Sequence, residues 1–381
     1  GKESVVLFGS IPPEARIGGY SRHLPVVTDE LSCIGCWYGP CPYNIACMDK
    51  LSASLIAGKA IGKLTPKSKL GIKYHLDNEY FTTLCKLPQV ESLLSPEEGR
   101  SEIFLNCMDP GKENLKGALF FDARAKYIYA AYPFTKPPAK WVDSINTYDK
   151  LIVPSRAYVD SFKDAGVVVP IDQCAPGIDT KEWKSSERKE TEVTTFVLFS
   201  NGRWFDENEN LEIGIDGFKQ AFGDSTDVRL VVMGYPGQVP NYVFTSKNIS
   251  VFSNEYTSSA IKEVLNNSDY LIYPSKGSAY ADLPMKAMAM GVPVIGCSFG
   301  SIRELMSLPC NYPIAYKLEQ NNKTGDMCAG LDVDSLAYTL KMVLSEKNLL
   351  KDKRVQASKY INENHSLEIS VRKLLKIIGA E

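Results

Sequence analysis

The segment Pro274-Ser-Lys-Gly-Ser-Ala-Tyr-Ala-Asp-Leu-Pro-Met-Lys-Ala-Met-Ala-Met-Gly-Val-Pro-Val-Ile-Gly296 decides the fold. Just before it, the apolar run Tyr270 to Tyr273 is short enough for a buried strand. The segment then passes through small residues, predicts a helix over Pro284 to Met290, and predicts a further strand over Pro293 to Gly296. In an open α/β sheet, ligands bind beyond the carboxyl ends of the strands. A small-residue loop that meets a helix N-terminus offers backbone N–H groups and the positive end of the helix dipole, which suits a diphosphate.

Outward from this segment, strand and helix patterns alternate. Strands are predicted at Thr195 to Ser200, Val228 to Met233 and near Ile249 to Phe252, with helices at Leu211 to Phe222 and Ser258 to Asn266. This is the pattern of a parallel, doubly wound sheet. The first half repeats the theme. Apolar runs occur at Ser4 to Gly9, Ile103 to Asn106, Ala118 to Phe121, Tyr127 to Ala131 and Lys150 to Val153, and a helix is predicted over Ala157 to Ala165. Between the halves, Pro176-Gly177 and the charged stretch from Lys184 mark a linker. A chain of 381 residues accommodates two cores. The expected domains are 1–179, 190–354 and a C-terminal helix in 355–381 that crosses back to the first domain.

The decisive segment resembles the retaining glycosyltransferases of family four, whose pattern is P-S-x-x-E-G-F-G-L-P-x-L-E-A-M-A-x-G-x-P-V-I. The match is ungapped over the segment, with the Leu-Pro pair one place late. Tyr148 to Gly166 resembles the end of that family's first domain, and Ala175-Pro-Gly-Ile-Asp179 resembles its crossing between domains. Ser200-Asn-Gly-Arg203 resembles its phosphate-binding turn, and Val232-Met-Gly234 stands where the family has V-G-x-G. Gly18-Gly19 stands where the family has an N-terminal Gly-Gly loop.

The resemblance implies a GT-B fold, α/β with two Rossmann-like doubly wound domains facing across a cleft. It also implies transfer of a sugar from a nucleotide-diphosphate donor to an acceptor hydroxyl, with retention of configuration and without a metal or other cofactor. The donor-binding residues it implies are Gly18, Gly19, Gly202, Arg203, Gly234, Ser278, Ala279, Tyr280, Ala281 and Lys286. Arg203 carries the catalytic charge, because a leaving diphosphate needs its charge offset. The sequence departs from the family at its paired glutamates, which are Ser278 and Lys286 here. The family's lysine after the turn arginine is absent, and no histidine lies within Tyr129 to Phe134. Lys276 or Lys286 is the expected source of a second cation. These losses also open a reading from another class, a catalytically inactive protein of the same fold that binds a partner or glycan.

Composition limits other roles. A net charge of −2 gives no whole-chain basic field for nucleic acid. The longest near-apolar stretch, Ala287 to Gly300, falls short of the roughly 18 residues a membrane span needs. With no apparent secretory leader, the expected compartment is cytoplasmic. The acceptor is left open among glycan, lipid, protein and modified nucleic acid. Six lysines between Lys50 and Lys73, without an acidic residue, form a candidate peripheral membrane contact or a solvated face. Cys33, Cys36, Cys41 and Cys47 have C-x-x-C-x4-C-x5-C spacing. A zinc or iron–sulfur site is one reading and a mixture of buried free thiols with a disulfide the other; structural zinc usually draws on two separate pairs, so no metal site is assigned.

Overall fold

The computed structural model describes residues 4–7, 23–26, 68–73, 79–94, 101–107, 123–186, 191–200, 210–234, 246–253, 257–322 and 325–380. Gly18, Gly19, Gly202, Arg203, the four clustered cysteines and Lys50 to Lys67 lie outside the described residues, as does the run Ala118 to Phe121.

A short parallel pair, β1 (Ser4–Leu7) and β2 (His23–Val26), belongs to the N-terminal half. The main N-terminal sheet contains β3 (Ser68–Lys73), β4 (Ser101–Asn106), β5 (Ala123–Tyr129), β6 (Lys150–Val153) and β7 (Ile171–Gln173), parallel throughout and in sequential spatial order. Helices α1 (Glu79–Cys85) and α2 (Pro88–Glu91) follow β3, α3 (Ala139–Ile145) follows β5, and α4 (Arg156–Asp164) follows β6. In α4, Tyr158, Val159 and Phe162 are buried, which is the face its sequence periodicity selects. Lys69 and Lys73, from the basic stretch, are half-buried on β3.

The C-terminal sheet contains β8 (Thr194–Phe199), β9 (Val228–Gly234), β10 (Ile249–Ser253), β11 (Tyr270–Tyr273), β12 (Val294–Cys297) and β13 (Tyr312–Ile314). Its spatial order is β10-β9-β8-β11-β12-β13, all parallel. All six residues of β8 are buried, as a central parallel strand covered on both faces requires. The chain winds outward from β8 in one direction, then returns to β11 and winds the other way. That reversal places a topological switch point between β8 and β11. Helices α5 (Leu211–Phe222), α6 (Ser258–Asn266), α7 (Asp282–Ala289), α8 (Arg303–Met306) and α9 (Val333–Ser345) connect or cover these strands. An antiparallel hairpin, β14 (Lys317–Gln320) and β15 (Met327–Gly330), follows β13.

The C-terminal tail is two helices where the sequence reading expected one over Val355 to Ile378. Helix α10 (Leu350–Asn364) stays with the C-terminal domain, burying Ala357 and Ile361 against Met288 and Met290. Helix α11 (Leu367–Ile378) joins the N-terminal core, where Val371, Leu374 and Ile378 pack with Leu70, Phe81 and Tyr129. The break comes at His365–Ser366 because the backbone there turns to pair with the first crossing segment. The Ile178 amide donates to the His365 carbonyl at 2.8 Å, and the Leu367 amide donates to the Ile178 carbonyl at 2.9 Å. Leu374 is 1% exposed. Leu374→Ala is expected to cost about 2–5 kcal/mol of stability, measured by urea unfolding.

Candidate functional site

The loop from Pro274 to Ala281 leaves β11 at the switch point and enters α7, so the decisive segment occupies the cleft edge of the C-terminal sheet. Its backbone is held from both domains. The Ser278 carbonyl accepts from the Tyr158 hydroxyl of α4 at 2.5 Å and from Ser301 Oγ at 2.8 Å. The Ser278 hydroxyl itself donates to the Tyr280 carbonyl at 2.6 Å. Ser275 Oγ bonds within the loop to Gly277, and the Cys297 thiol donates to the Ser275 carbonyl at 2.8 Å. Burial pushes that thiol up to about 12, so it remains a donor at neutral pH. Burial likewise pushes the Tyr158 hydroxyl well up, against the opposing effect of Ser301.

Across the cleft, the N-terminal domain presents the ends of β5 and β6. The Tyr280 ring stacks on Tyr129 with centroids 6.3 Å apart and planes inclined by 14°. Tyr129 is anchored in turn by donating to the Cys174 carbonyl at 2.7 Å. Gly277 approaches the Pro133 carbonyl so closely that a Cβ there would overlap it. Glu304 on α8 reaches the other way. Its carboxylate accepts from the Arg156 amide at the start of α4 at 2.6 Å and from Gln173 Nε2 at 3.1 and 3.3 Å. The hairpin adds a further bond, Tyr132 hydroxyl to Asp326 Oδ2, at 2.5 Å.

The two positions that the sequence resemblance sets against paired glutamates, Ser278 and Lys286, have separate environments. Ser278 is in the loop just described. Lys286 is 5% exposed. Its ammonium pairs with Asp282 at 2.8 Å and lies 4.6 Å from the centroid of the Trp183 ring, a cation–π distance. Lys276, the other proposed cation, pairs with Glu319 of β14 at 2.6 Å. Gly234 ends β9 beside β8, where the Ser200 amide donates to the Met233 carbonyl at 2.9 Å. That brings Gly234 to the same edge of the sheet as the loop. Ala279 and Tyr280 pack against the N-terminal core, and Ala281 against the C-terminal one. Sequence reasoning did not find Tyr158, Ser301, Glu304, Tyr129 or Pro133. The Phe299-Gly-Ser-Ile-Arg-Glu304 turn directly after β12 was the available signal for two of them.

A cavity of about 20 Å³ lies between the domains, lined by Ser155, Ser301, Glu304, Met285, Pro176 and His365. It is large enough for one water. Among the described residues, Ser155 Oγ and His365 Nδ1 are buried there without a hydrogen-bond partner. Burial, with a smaller contribution from Lys373, lowers the His365 pKa from 6.5 to about 4. The folded protein therefore holds this imidazole neutral while the unfolded chain protonates it between these two values. Stability falls as pH drops from 6.5 toward 4. In His365→Leu, the slope of melting temperature against pH over that window should flatten. An unchanged slope would assign the acid sensitivity to other groups.

Residues 195–345 match the family model described as glycosyl transferases group 1. No curated protein matches the chain by sequence. Among solved structures, S. aureus TarM is 13% identical over 72% of this chain and 54% of its own, with a TM-score of 0.55. Anabaena HepE in complex with UDP is 14% identical over 74% and 79%, with a TM-score of 0.58. Sucrose-phosphate synthase from Thermosynechococcus elongatus is 10% identical over 99% and 98%, with a TM-score of 0.57. The chain spans about half the length of TarM. At these identities the likeness is one of fold, and the fold is GT-B: two Rossmann-like domains, each with a parallel sheet, facing across a cleft. Among the described residues, no helix is long and apolar enough to cross a membrane.

Proposed function

We propose that this protein is a glycosyltransferase that moves a sugar from a nucleotide-diphosphate donor to an acceptor hydroxyl. The observation that carries this reading is the loop Pro274–Ala281 at the switch point of the β8–β13 sheet, within the residues that match glycosyl transferases group 1. The UDP in the complex with HepE makes uridine diphosphate the first donor class to test.

In this reading Gly18, Gly19, Gly202, Arg203, Gly234 and the Ser278–Ala281 backbone bind the diphosphate. Arg203 offsets the charge of the leaving diphosphate. Lys286, engaged with Asp282 and Trp183, braces the start of α7 and acts on the donor through it. Catalysis then comes from positioning the substrates and from stabilising developing charge, with retention and without a metal. The N-terminal domain binds the acceptor, whose class is a glycan, lipid, protein or modified nucleic acid. The lysine-rich stretch from Lys50 is kept as a proposed peripheral membrane contact, and the protein is proposed to be cytoplasmic; Lys69 and Lys73 are half-buried on β3.

The test is incubation with UDP-, GDP-, ADP- and dTDP-sugars and an acceptor panel, reading nucleotide release and glycosylated product by mass spectrometry. Product with one donor class establishes the reading. Donor binding without release, with or without acceptor, favours the second reading, a binding protein of the same fold. One observation supports that second reading: the glutamate positions hold Ser278 and a lysine buried on Asp282 and Trp183.

A further inference from the structure

The Ser278 carbonyl has two hydroxyl donors of different origin. Ser301 belongs to the C-terminal domain, as the loop does, and its bond is independent of how the cleft stands. Tyr158 belongs to α4, packed in the N-terminal core with Val159 and Phe162, and its bond exists only when the two domains meet. Three residues of the donor loop are touched from that side: Gly277 at Pro133, Ser278 at Tyr158 and Tyr280 at Tyr129. Only the Tyr158 contact is a directional bond to the loop backbone. The hydroxyl therefore reports closure to the peptide group that orients Ser278 and Ala279.

We propose that Tyr158 is a positioning residue for the nucleotide donor, setting the shape of the 277–281 loop only in the closed cleft and so coupling donor binding to domain closure. The inference rests on the donor-site reading above. Tyr158 acts through the Ser278 carbonyl and touches no substrate. When the cleft opens, the loop keeps the Ser301 bond and loses the Tyr158 bond, and the donor meets a less ordered cradle. When the donor binds, the ordered loop favours the closed arrangement by the same amount, since the coupling is reciprocal.

The experiment titrates UDP into the wild type, Tyr158→Phe and Ser301→Ala, and follows amide exchange in residues 156–164 and 276–282 with and without UDP. Tyr158→Phe keeps the buried ring and removes only the hydroxyl, so the ligand-free protein should melt within a few degrees of wild type. UDP should bind about fivefold more weakly, the size of one net hydrogen bond. In the wild type UDP should slow exchange in both segments, and in Tyr158→Phe the slowing in 156–164 should vanish. Ser301→Ala should weaken UDP binding yet keep protection in both segments. If Tyr158→Phe binds UDP within twofold of wild type and keeps protection of α4, the inference is overturned. If the two variants behave alike, Tyr158 is merely structural support and the inference is again overturned. Should the wild type bind none of UDP, GDP, ADP and dTDP, the donor reading itself falls, an outcome distinct from either of those.

Discussion

Gly177→Ala is expected to destabilise the protein by about 3 kcal/mol and to loosen the junction between its domains. A Cβ at Gly177 would lie 2.6 Å from Leu367 Cα, 2.8 Å from Ser370 Cβ and 3.0 Å from the Ser366 carbonyl oxygen. Two of these are backbone atoms, so no side-chain rotation relieves the overlap. The two crossing segments must separate instead. That stretches the paired bonds between Ile178 and His365 and between Leu367 and Ile178. It also pulls Ser370 from the Ala175 carbonyl, which it now bonds at 2.6 Å, and from the Tyr80 hydroxyl at 2.9 Å. Helix α11 completes the N-terminal core, so the damage should appear there. Urea unfolding followed by tryptophan fluorescence measures the loss, and amide exchange in 367–378 locates it. A variant within 0.5 kcal/mol of wild type would show that the crossings are not held this tightly.

The second large effect is on turnover. In Gly277→Ala the added methyl overlaps the Pro133 carbonyl oxygen, again a backbone atom, now across the cleft. Either the loop retreats or the domains close less completely. Both displace the proposed donor cradle by a good fraction of an ångström, a misplacement that costs on the order of 100-fold in rate. The substitution should change stability far less, because the loop lies at a domain boundary. Glycosyl transfer with the best donor of the panel, compared with the melting temperature, separates the two effects. Full activity in Gly277→Ala would mean that the productive cleft is more open than the arrangement described here. The same measurement on Gly277→Ala/Tyr158→Phe should show less than the product of the single effects, since both act on one interface.

Much of the C-terminal domain is legible in the chain's local patterns. The helices Leu211–Phe222 and Ser258–Asn266 and the strand Tyr270–Tyr273 fall where periodicity puts them. Each has a strong local cause: an amphipathic face, a Thr257 cap that accepts from the Ala260 amide, or an apolar run of strand length. The loop of the decisive segment was legible for the same reason, since strand, small residues and helix start are adjacent in sequence. The tail was misread as one helix because nothing in Asn364-His-Ser-Leu367 breaks a helix as sharply as proline would. Its break is imposed by Ile178, nearly two hundred positions away.

Sequence alone determined that two parallel α/β domains exist and that the Pro274–Gly296 segment forms a strand, loop and helix, because those features depend on neighbours a few residues apart. It also singled out Ser278 and Lys286 as departures from the pattern the segment resembles. Only the tertiary structure decided what those departures do. Lys286 turns inward to Asp282 and Trp183, and the Ser278 carbonyl is shared between Ser301 and Tyr158. Asp282 lies one helical turn from Lys286, but Tyr158 lies 120 residues from Ser278 and meets it only after both cores have formed and the crossings have aligned the domains. Local propensity acts within a helical turn or a strand pair, whereas a cleft is built from the ends of many strands, whose meeting is recorded at no single point in the chain.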